Sequence, residues 1–471
     1  MPFNFKNWFG GIAVKPDNHK EKAQDIVPEV QLGDDDANEA KTSISRNSKQ
    51  VAGEEWLNLN WDDAFRQNFQ VEDRDYKELR EWTKTHPVAE MDMPTGEIDD
   101  WFAVEHEGIT LYFPLHFNVG ALRFVLMPIF PHTKNKSCFM GSMGIVVAYE
   151  CIQNHSVSVV KTSLFKGGEA LEQEAYEILN FLIANGKMPV GGHGTCGEHF
   201  IKFTAGTVKE LSPPFHAGKT LKQSFVMIEK MDLDLAMLHK QELPLFRNLY
   251  ALRFIFRSMA EGLQCMHDAK PKGIAHGDFK PANILCSPYT NQWIELVQQH
   301  KASLLQHNIM YVKMADFDAA FTRVWDLDRQ PLQLYTIFVT SPQRLVDRLA
   351  SKEDDVWALG VSFLDLSTYG KQADRISRQL LWLLEDDEYL ARPSSLESIQ
   401  RAVKISVADA LLEWNRSWKG LSFFAKPGAM KELADLISKC LEVDVKKRIT
   451  IDEILKHPFL TNIESKYTNN K

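Results

Sequence analysis

The chain has 471 residues, 44% of them apolar, and a formal net charge of −9. That length exceeds what one hydrophobic core supports, so two lobes plus extensions are expected, and the acidic balance argues against nucleic-acid binding, which draws its affinity from a basic face. No apolar run reaches the roughly 18 residues of a membrane span, and the six cysteines lack C-x-x-C spacing. Stable membrane insertion, a zinc site and a disulfide framework are therefore not expected, and the cysteines read as reduced, mostly buried thiols.

Residues 1–53 are rich in Asp, Glu, Lys, Asn and Ser, which predicts a disordered polar tail without the layout of a secretory signal. Residues 54–136 read as an N-terminal extension that packs on the next lobe or forms a small accessory domain. Phe65, Phe69, Tyr76, Leu79 and Trp82 give helical spacing over 61–83, and strands are predicted at 109–113 and 122–126. A hairpin follows, with Ile145-Val146-Val147-Ala148-Tyr149 in one strand and Val157-Ser158-Val159-Val160 in the other, and it ends on Lys161. Its entry is the glycine-containing turn Gly141-Ser142-Met143-Gly144. A helix is predicted over 169–182, where Glu174 shares a stripe with Ile178 and Leu182, and Glu172 is the alternative acid. The glycine-rich run at 191–197 lacks the Gly-Lys-Ser/Thr ending of a phosphate loop and reads as a plain loop. Strand 224–228 then runs into Glu229-Lys230-Met231-Asp232, followed by an amphipathic helix over 245–267.

The next stretch, His276-Gly277-Asp278-Phe279-Lys280-Pro281-Ala282-Asn283, sets three chemical groups at fixed offsets. Phosphoryl transfer from ATP needs a carboxylate to orient the attacking hydroxyl, a cation against the moving phosphoryl group, and an oxygen ligand for magnesium. Asp278, Lys280 and Asn283 are those groups. Val312-Lys313-Met314-Ala315-Asp316 is an apolar strand ending on a second carboxylate. The connection between Asn283 and Asp316 is longer than a strand pair needs, which predicts an inserted helix near 290–307. Further helices are expected in an insertion at 371–421, and residues 462–471 read as a C-terminal tail.

These runs resemble the protein kinase family. His276 to Asn283 is similar to its H-R-D-x-K-x-x-N loop, Asp316-Phe317-Asp318 to D-F-G, Ser341-Pro342-Gln343 to A-P-E, and Asp355-Val356-Trp357-Ala358-Leu359-Gly360 to D-x-W-x-L-G. Asp444-Val445-Lys446-Lys447-Arg448 with His457-Pro458-Phe459-Leu460 resembles the end of such domains. The resemblance implies an α+β bilobal fold, with an antiparallel β N-lobe carrying one key helix at 137–231 and a mainly helical C-lobe at 232–461. It implies ATP and Mg2+ as cofactors. Gly141, Gly144 and Val146 would cover the nucleotide, Lys161 held by Glu174 would meet the α- and β-phosphates, and the Glu229 carbonyl and Met231 backbone would meet adenine. Asp278 and Lys280 would be catalytic, and Asn283 and Asp316 would ligate metal. Asp355 is expected to cap catalytic-loop N–H groups, Thr336 to bridge Asp278 and Lys280, and Gln343 to hydrogen-bond Arg448. Asp232 and Asp234 are each a ribose contact or a helix cap.

The implied activity is transfer of phosphate to Ser or Thr hydroxyls of a protein substrate. Phe139, Gly277, Asp318 and Gln343 depart from the family pattern. They keep open a nucleotide-binding pseudokinase or scaffold and a small-molecule phosphotransferase. Gly277 in place of arginine implies independence from activation-loop phosphorylation, with activity set instead by the inserted helix or by the N-terminal extension, through which a regulatory partner would bind. Location is expected in the cytoplasm, or in the host cytoplasm for a secreted microbial effector.

Overall fold

The structure is a computed structural model. It describes residue 180 and residues 81–461 apart from 95–97, 107–108, 129–137, 141–143, 164–179, 181–195, 212–220, 242–245, 247–248, 269–273, 289–309, 318–324, 327–335, 347–348, 369–370, 385–392 and 418–427. The chain divides into two compact units, Met1–Glu55 and Trp56–Lys471, and all described residues belong to the second. The predicted tails, the helix at 169–182 except residue 180, the helix at 290–307, and Gly141 lie outside the described residues.

The upper lobe contains β1 (Ala89–Glu90), β2 (Trp101–His106), β3 (Ile109–Pro114), β4 (His116–Val119), β5 (Leu122–Leu126), β6 (Cys138–Met140), β7 (Gly144–Cys151), β8 (Val157–Ser163), β9 (Phe203–Leu211) and β10 (Leu221–Glu229). Eight of these form one sheet in the order β1-β9-β10-β8-β7-β5-β4, with β6 pairing β7. All its pairings are antiparallel except β1 with β9. Asp92, just past β1, exchanges backbone hydrogen bonds of 2.8 and 3.0 Å with Asn118 of β4. One short segment therefore covers both edges, where unpaired N–H and C=O groups would otherwise invite another chain.

Side chains alternate across a strand, and here each face has its own core. Val146, Ala148, Val159, Val226 and Ile228 face the core shared with the lower lobe, while Ile145, Val147, Tyr149, Val160, Phe225 and Met227 enter a second, upper core. Trp101, Leu111, Tyr112 and Phe113 of the β2–β3 hairpin cover that upper core, joined by Phe117 and Phe124. The described part of 54–136 is thus built into the upper lobe.

Below the sheet come β11 (Leu233–Asp234), α1 (Leu235–Gln241), α2 (Leu249–His267), β12 (Ile284–Pro288), β13 (Met310–Met314), β14 (Trp325–Asp326), α3 (Pro342–Val346), β15 (Leu349–Ala350), α4 (Lys352–Thr368), α5 (Lys371–Leu384), α6 (Pro393–Ser417), α7 (Ala429–Cys440), α8 (Ile451–Leu455) and α9 (Pro458–Thr461). Helix α4 is buried along almost its whole length. At Gly360 an added Cβ would lie 2.6 Å from Cys440 Cβ, so glycine is what lets α4 and α7 approach. Helices α5 and α6 occupy the stretch read as an insertion at 371–421.

One expectation fails. Cys196 and Cys265, 69 positions apart, form a disulfide between a 3-10 turn at Cys196–His199 and α2. Spacing carries no trace of such a pair, because tertiary packing alone brings the two together. The described free thiols, Cys138, Cys151, Cys286 and Cys440, fit the original reading. Among the described residues no helix is long and apolar enough to cross a membrane.

Candidate active site

The catalytic loop lies between α2 and β12, and its backbone is fixed from below. Asp355 sits in the first turn of α4, where its carboxylate accepts hydrogen bonds from the N–H groups of His276 (2.7 Å) and Gly277 (3.0 Å). His267 Nε2 reaches the same carboxylate at 2.9 Å. Burial, the largest single influence, would raise the Asp355 pKa, but its interactions with His267 and His276 together outweigh burial and hold it below the usual carboxylate range. His276 Nε2 donates to the Ala315 carbonyl at 3.2 Å, leaving Nδ1 to accept from the Asp278 N–H at 3.4 Å.

Above this frame the polar groups converge. Asp278 Oδ2 lies 2.6 Å from Lys280 Nζ and Oδ1 accepts from the Thr336 N–H at 2.8 Å. Lys280 Nζ also donates to Thr336 Oγ1 at 2.6 Å, so Thr336 bridges the acid and the cation as expected. Asn283 Nδ2 donates to the Asp278 carbonyl (2.9 Å) and Oδ2 (3.3 Å), which leaves Asn283 Oδ1 as the oxygen for a hard cation.

Asp316 ends the metal-side strand with φ at 65°, a left-handed backbone that non-glycine residues seldom adopt. Such strain costs about 1–3 kcal/mol and persists where surroundings over-determine it. Here the Ala315 N–H donates to the Asn283 carbonyl at 2.9 Å and Lys161 Nζ holds Asp316 Oδ1 at 2.6 Å. Burial pushes the Asp316 carboxyl up, yet the Lys161 and Lys280 ammonium groups overcome it and keep the group ionised. Asp318, the departure from the D-F-G pattern, lies outside the described residues.

Lys161 stands opposite Val146 in the β7–β8 ladder, with Gly144 opposite Ser163. Gly141, Glu172 and Glu174 lie outside the described residues, and the carboxylate that the described structure gives Lys161 is Asp316. At the other end of the cleft, the Glu229 carboxylate binds Lys313 (2.5 Å) and the Lys202 N–H (2.6 Å), tying the end of β10 to the strand that leads to Asp316. Met231 Sδ is 3.8 Å from Ser287 Oγ. Asp234 caps α1 through the Met237 N–H at 2.7 Å, and Asp232 pairs with Lys230, so Asp234 takes the cap reading. Gln343 accepts from Arg448 at 2.5 Å, as expected.

Sequence reasoning missed Arg344 and Asp354. No arginine was expected beside the catalytic loop, yet Arg344 Nη1 donates to the Gly277 carbonyl at 2.5 Å from a position only 2% exposed. Asp354, next to Asp355, accepts from Ser341 Oγ and from the Ser351 N–H. The one signal was an arginine directly after Ser341-Pro342-Gln343 and a second acid in the first turn of α4.

Comparison with known proteins agrees with this geometry. The family described as "Protein kinase domain" matches residues 216–460. The chain is 28% identical over 224 residues to MAP kinase-interacting serine/threonine-protein kinase 2 of Xenopus laevis, covering 44% of this chain and 40% of that protein. It is 26% identical over 260 residues to serine/threonine-protein kinase mph1 of Schizosaccharomyces pombe, covering 53% of this chain and 33% of that protein. A calcium and calcium/calmodulin-dependent serine/threonine-protein kinase of Lilium longiflorum is 29% identical over 213 residues, 45% of this chain and 31% of its own length. The chain thus spans less than half the length of these relatives.

Proposed function

The chain belongs to the protein kinase domain family, and from that premise we propose that it transfers the γ-phosphoryl group of Mg-ATP to Ser or Thr hydroxyls of protein substrates. The observation that carries this reading is Thr336 seated between Asp278 and Lys280, which brings the end of the activation segment to the reacting groups. Asp278, held by the Thr336 N–H, Lys280 and Asn283, orients the incoming hydroxyl and accepts its proton. Lys280 offsets charge on the moving phosphoryl group, and Lys161 meets the α- and β-phosphates.

Asn283 Oδ1 and Asp316 suit magnesium, a hard cation that keeps several waters and takes one or two protein oxygens plus phosphate. When bound, magnesium supplies charge neutralisation at the phosphates. Gly144 and Val146 roof the nucleotide, and the Glu229 carbonyl and Met231 backbone receive adenine.

Activity without activation-loop phosphorylation is part of the proposal. It is supported by Gly277, by the commitment of Arg344 to a backbone carbonyl, and by the β14–β15 pairing that ties this segment to the chain just before α4. The test is phosphate incorporation from labelled Mg-ATP into the protein and into a generic basic protein. Asp278→Ala and Lys161→Ala should each abolish it, and phosphatase pretreatment should leave it intact. ATP binding without any incorporation by the wild-type chain would overturn the transfer reading in favour of a nucleotide-binding scaffold.

A further inference from the structure

Gly277 carries φ of 79° and no side chain, directly before Asp278. Glycine at this place is comfortable in the left-handed region, but it leaves the following peptide free to rotate, and that peptide sets the direction in which the Asp278 side chain leaves the backbone. The two preceding N–H groups belong to Asp355. Neither of them restrains the plane between Gly277 and Asp278.

That plane is held at its two ends by other residues. Its N–H donates to His276 Nδ1 at 3.4 Å, a long contact, while its oxygen accepts from Arg344 Nη1 at 2.5 Å. Arg344 arrives on α3, whose first turn is closed by the Arg344 N–H donating to Ser341 Oγ at 3.1 Å. Ser341 in turn donates to Asp354, and Asp354 accepts from the Ser351 N–H at 2.6 Å. The guanidinium is therefore fixed by the end of the activation segment and the start of α4, and it delivers that position to the catalytic loop.

We propose that Arg344 is a positioning residue for Asp278: it locks the Gly277–Asp278 peptide that glycine leaves free, so that a correctly seated activation segment and a correctly aimed catalytic carboxylate are one and the same state. The proposal rests on the protein-kinase reading for its effect on turnover, but not for its effect on the backbone. A catalytic group displaced by about 1 Å loses roughly 100-fold in rate, and a supporting donor on a rigid element is what prevents it.

The test compares the full-length wild type with Arg344→Ala and Arg344→Lys by two readouts. The first is kcat and the KM for ATP on a generic basic protein; the second is amide hydrogen exchange of the peptide covering 274–280, with 145–160 in the upper sheet as control. Arg344→Ala should lower kcat by roughly 100-fold while the ATP KM stays within about twofold, and it should speed exchange in 274–280 but not in 145–160. Arg344→Lys, with one donor on a looser stem, should recover about tenfold of that loss. An alanine variant that melts like wild type and keeps kcat and exchange within about threefold overturns the proposal. Should the alanine variant not fold, a lysine variant with wild-type kcat and wild-type exchange overturns it instead. If the wild type transfers no phosphate, the kinase reading fails, and faster exchange in 274–280 alone still upholds Arg344 as the lock.

Discussion

Above the sheet, Phe113, Phe117, Phe124 and Phe225 belong to one apolar core, whereas beneath the cleft Arg344, Asp354, Asp355 and Arg448 fill positions that are just as buried. The first region gains stability from apolar area and ring packing, with Trp101 and Phe113 centred 6.1 and 6.3 Å from Phe225. The second gains little net stability from its ions, because desolvation offsets most of their attraction, but it fixes geometry. A catalytic loop needs that geometry, and a lobe that only has to hold a strand in place does not.

The sharpest separation of the two regions comes from Asp278→Asn. It keeps an acceptor for the Thr336 N–H and removes the base, so kcat should fall by about 10²- to 10⁴-fold with ATP affinity unchanged in a titration. Phe225→Ala should do the reverse. Its ring is fully buried in the upper core, so truncation should cost about 3–5 kcal/mol in denaturant unfolding while the folded fraction turns over normally. A kcat change with Phe225→Ala larger than the change in folded fraction would mean that the two regions are not independent.

Gln223 is where the apolar region borrows the other region's chemistry. Its Nε2 donates to the Tyr112 carbonyl at 2.6 Å and its Oε1 accepts from the Tyr112 N–H at 3.1 Å, so one side-chain amide serves β3 in place of a neighbouring strand. Gln223→Leu removes both of these hydrogen bonds to the Tyr112 backbone and should destabilise by about 2–4 kcal/mol, read as a shift in the urea midpoint. Ionic strength should leave that cost unchanged, since no charge is involved.

Most of the lower lobe and the reacting groups were legible because their motifs are local. Asp278, Lys280 and Asn283 sit within one short loop, and the apolar runs of β7 and β8 marked the hairpin that ends on Lys161. What was hidden depended on contacts between distant segments. Nothing in 101–114 says that its hairpin caps the upper sheet, since its partners Phe225 and Gln223 lie about a hundred positions away. The Cys196–Cys265 bond and the Arg344 contact to Gly277 are of the same kind. Gly277 marked a missing side chain, but only the fold shows which other residue fills the need.

The last of these tests probes how the ionic region tolerates its own burial. Asp354 faces Ser341, Arg344 and Arg448, yet burial dominates and raises its pKa from 3.8 to about 6. The folded chain then binds this proton below about pH 6 while the unfolded chain releases it near 3.8, so folding takes up a proton between those values. Stability conferred at this site is therefore greatest at low pH, falls as pH rises through the window, and is flat above it. A shift of about two units corresponds to roughly 3 kcal/mol. Asp354→Asn removes the slope, and the difference in unfolding free energy between wild type and variant, measured from about pH 4 to pH 7, isolates this group from every other carboxylate. A decline of that difference by roughly 3 kcal/mol means that the cluster holds Asp354 only by neutralising it in acid. A flat difference means that the two arginines keep it ionised throughout, and that the lower region is held by paired charges as firmly as the upper one is by its rings.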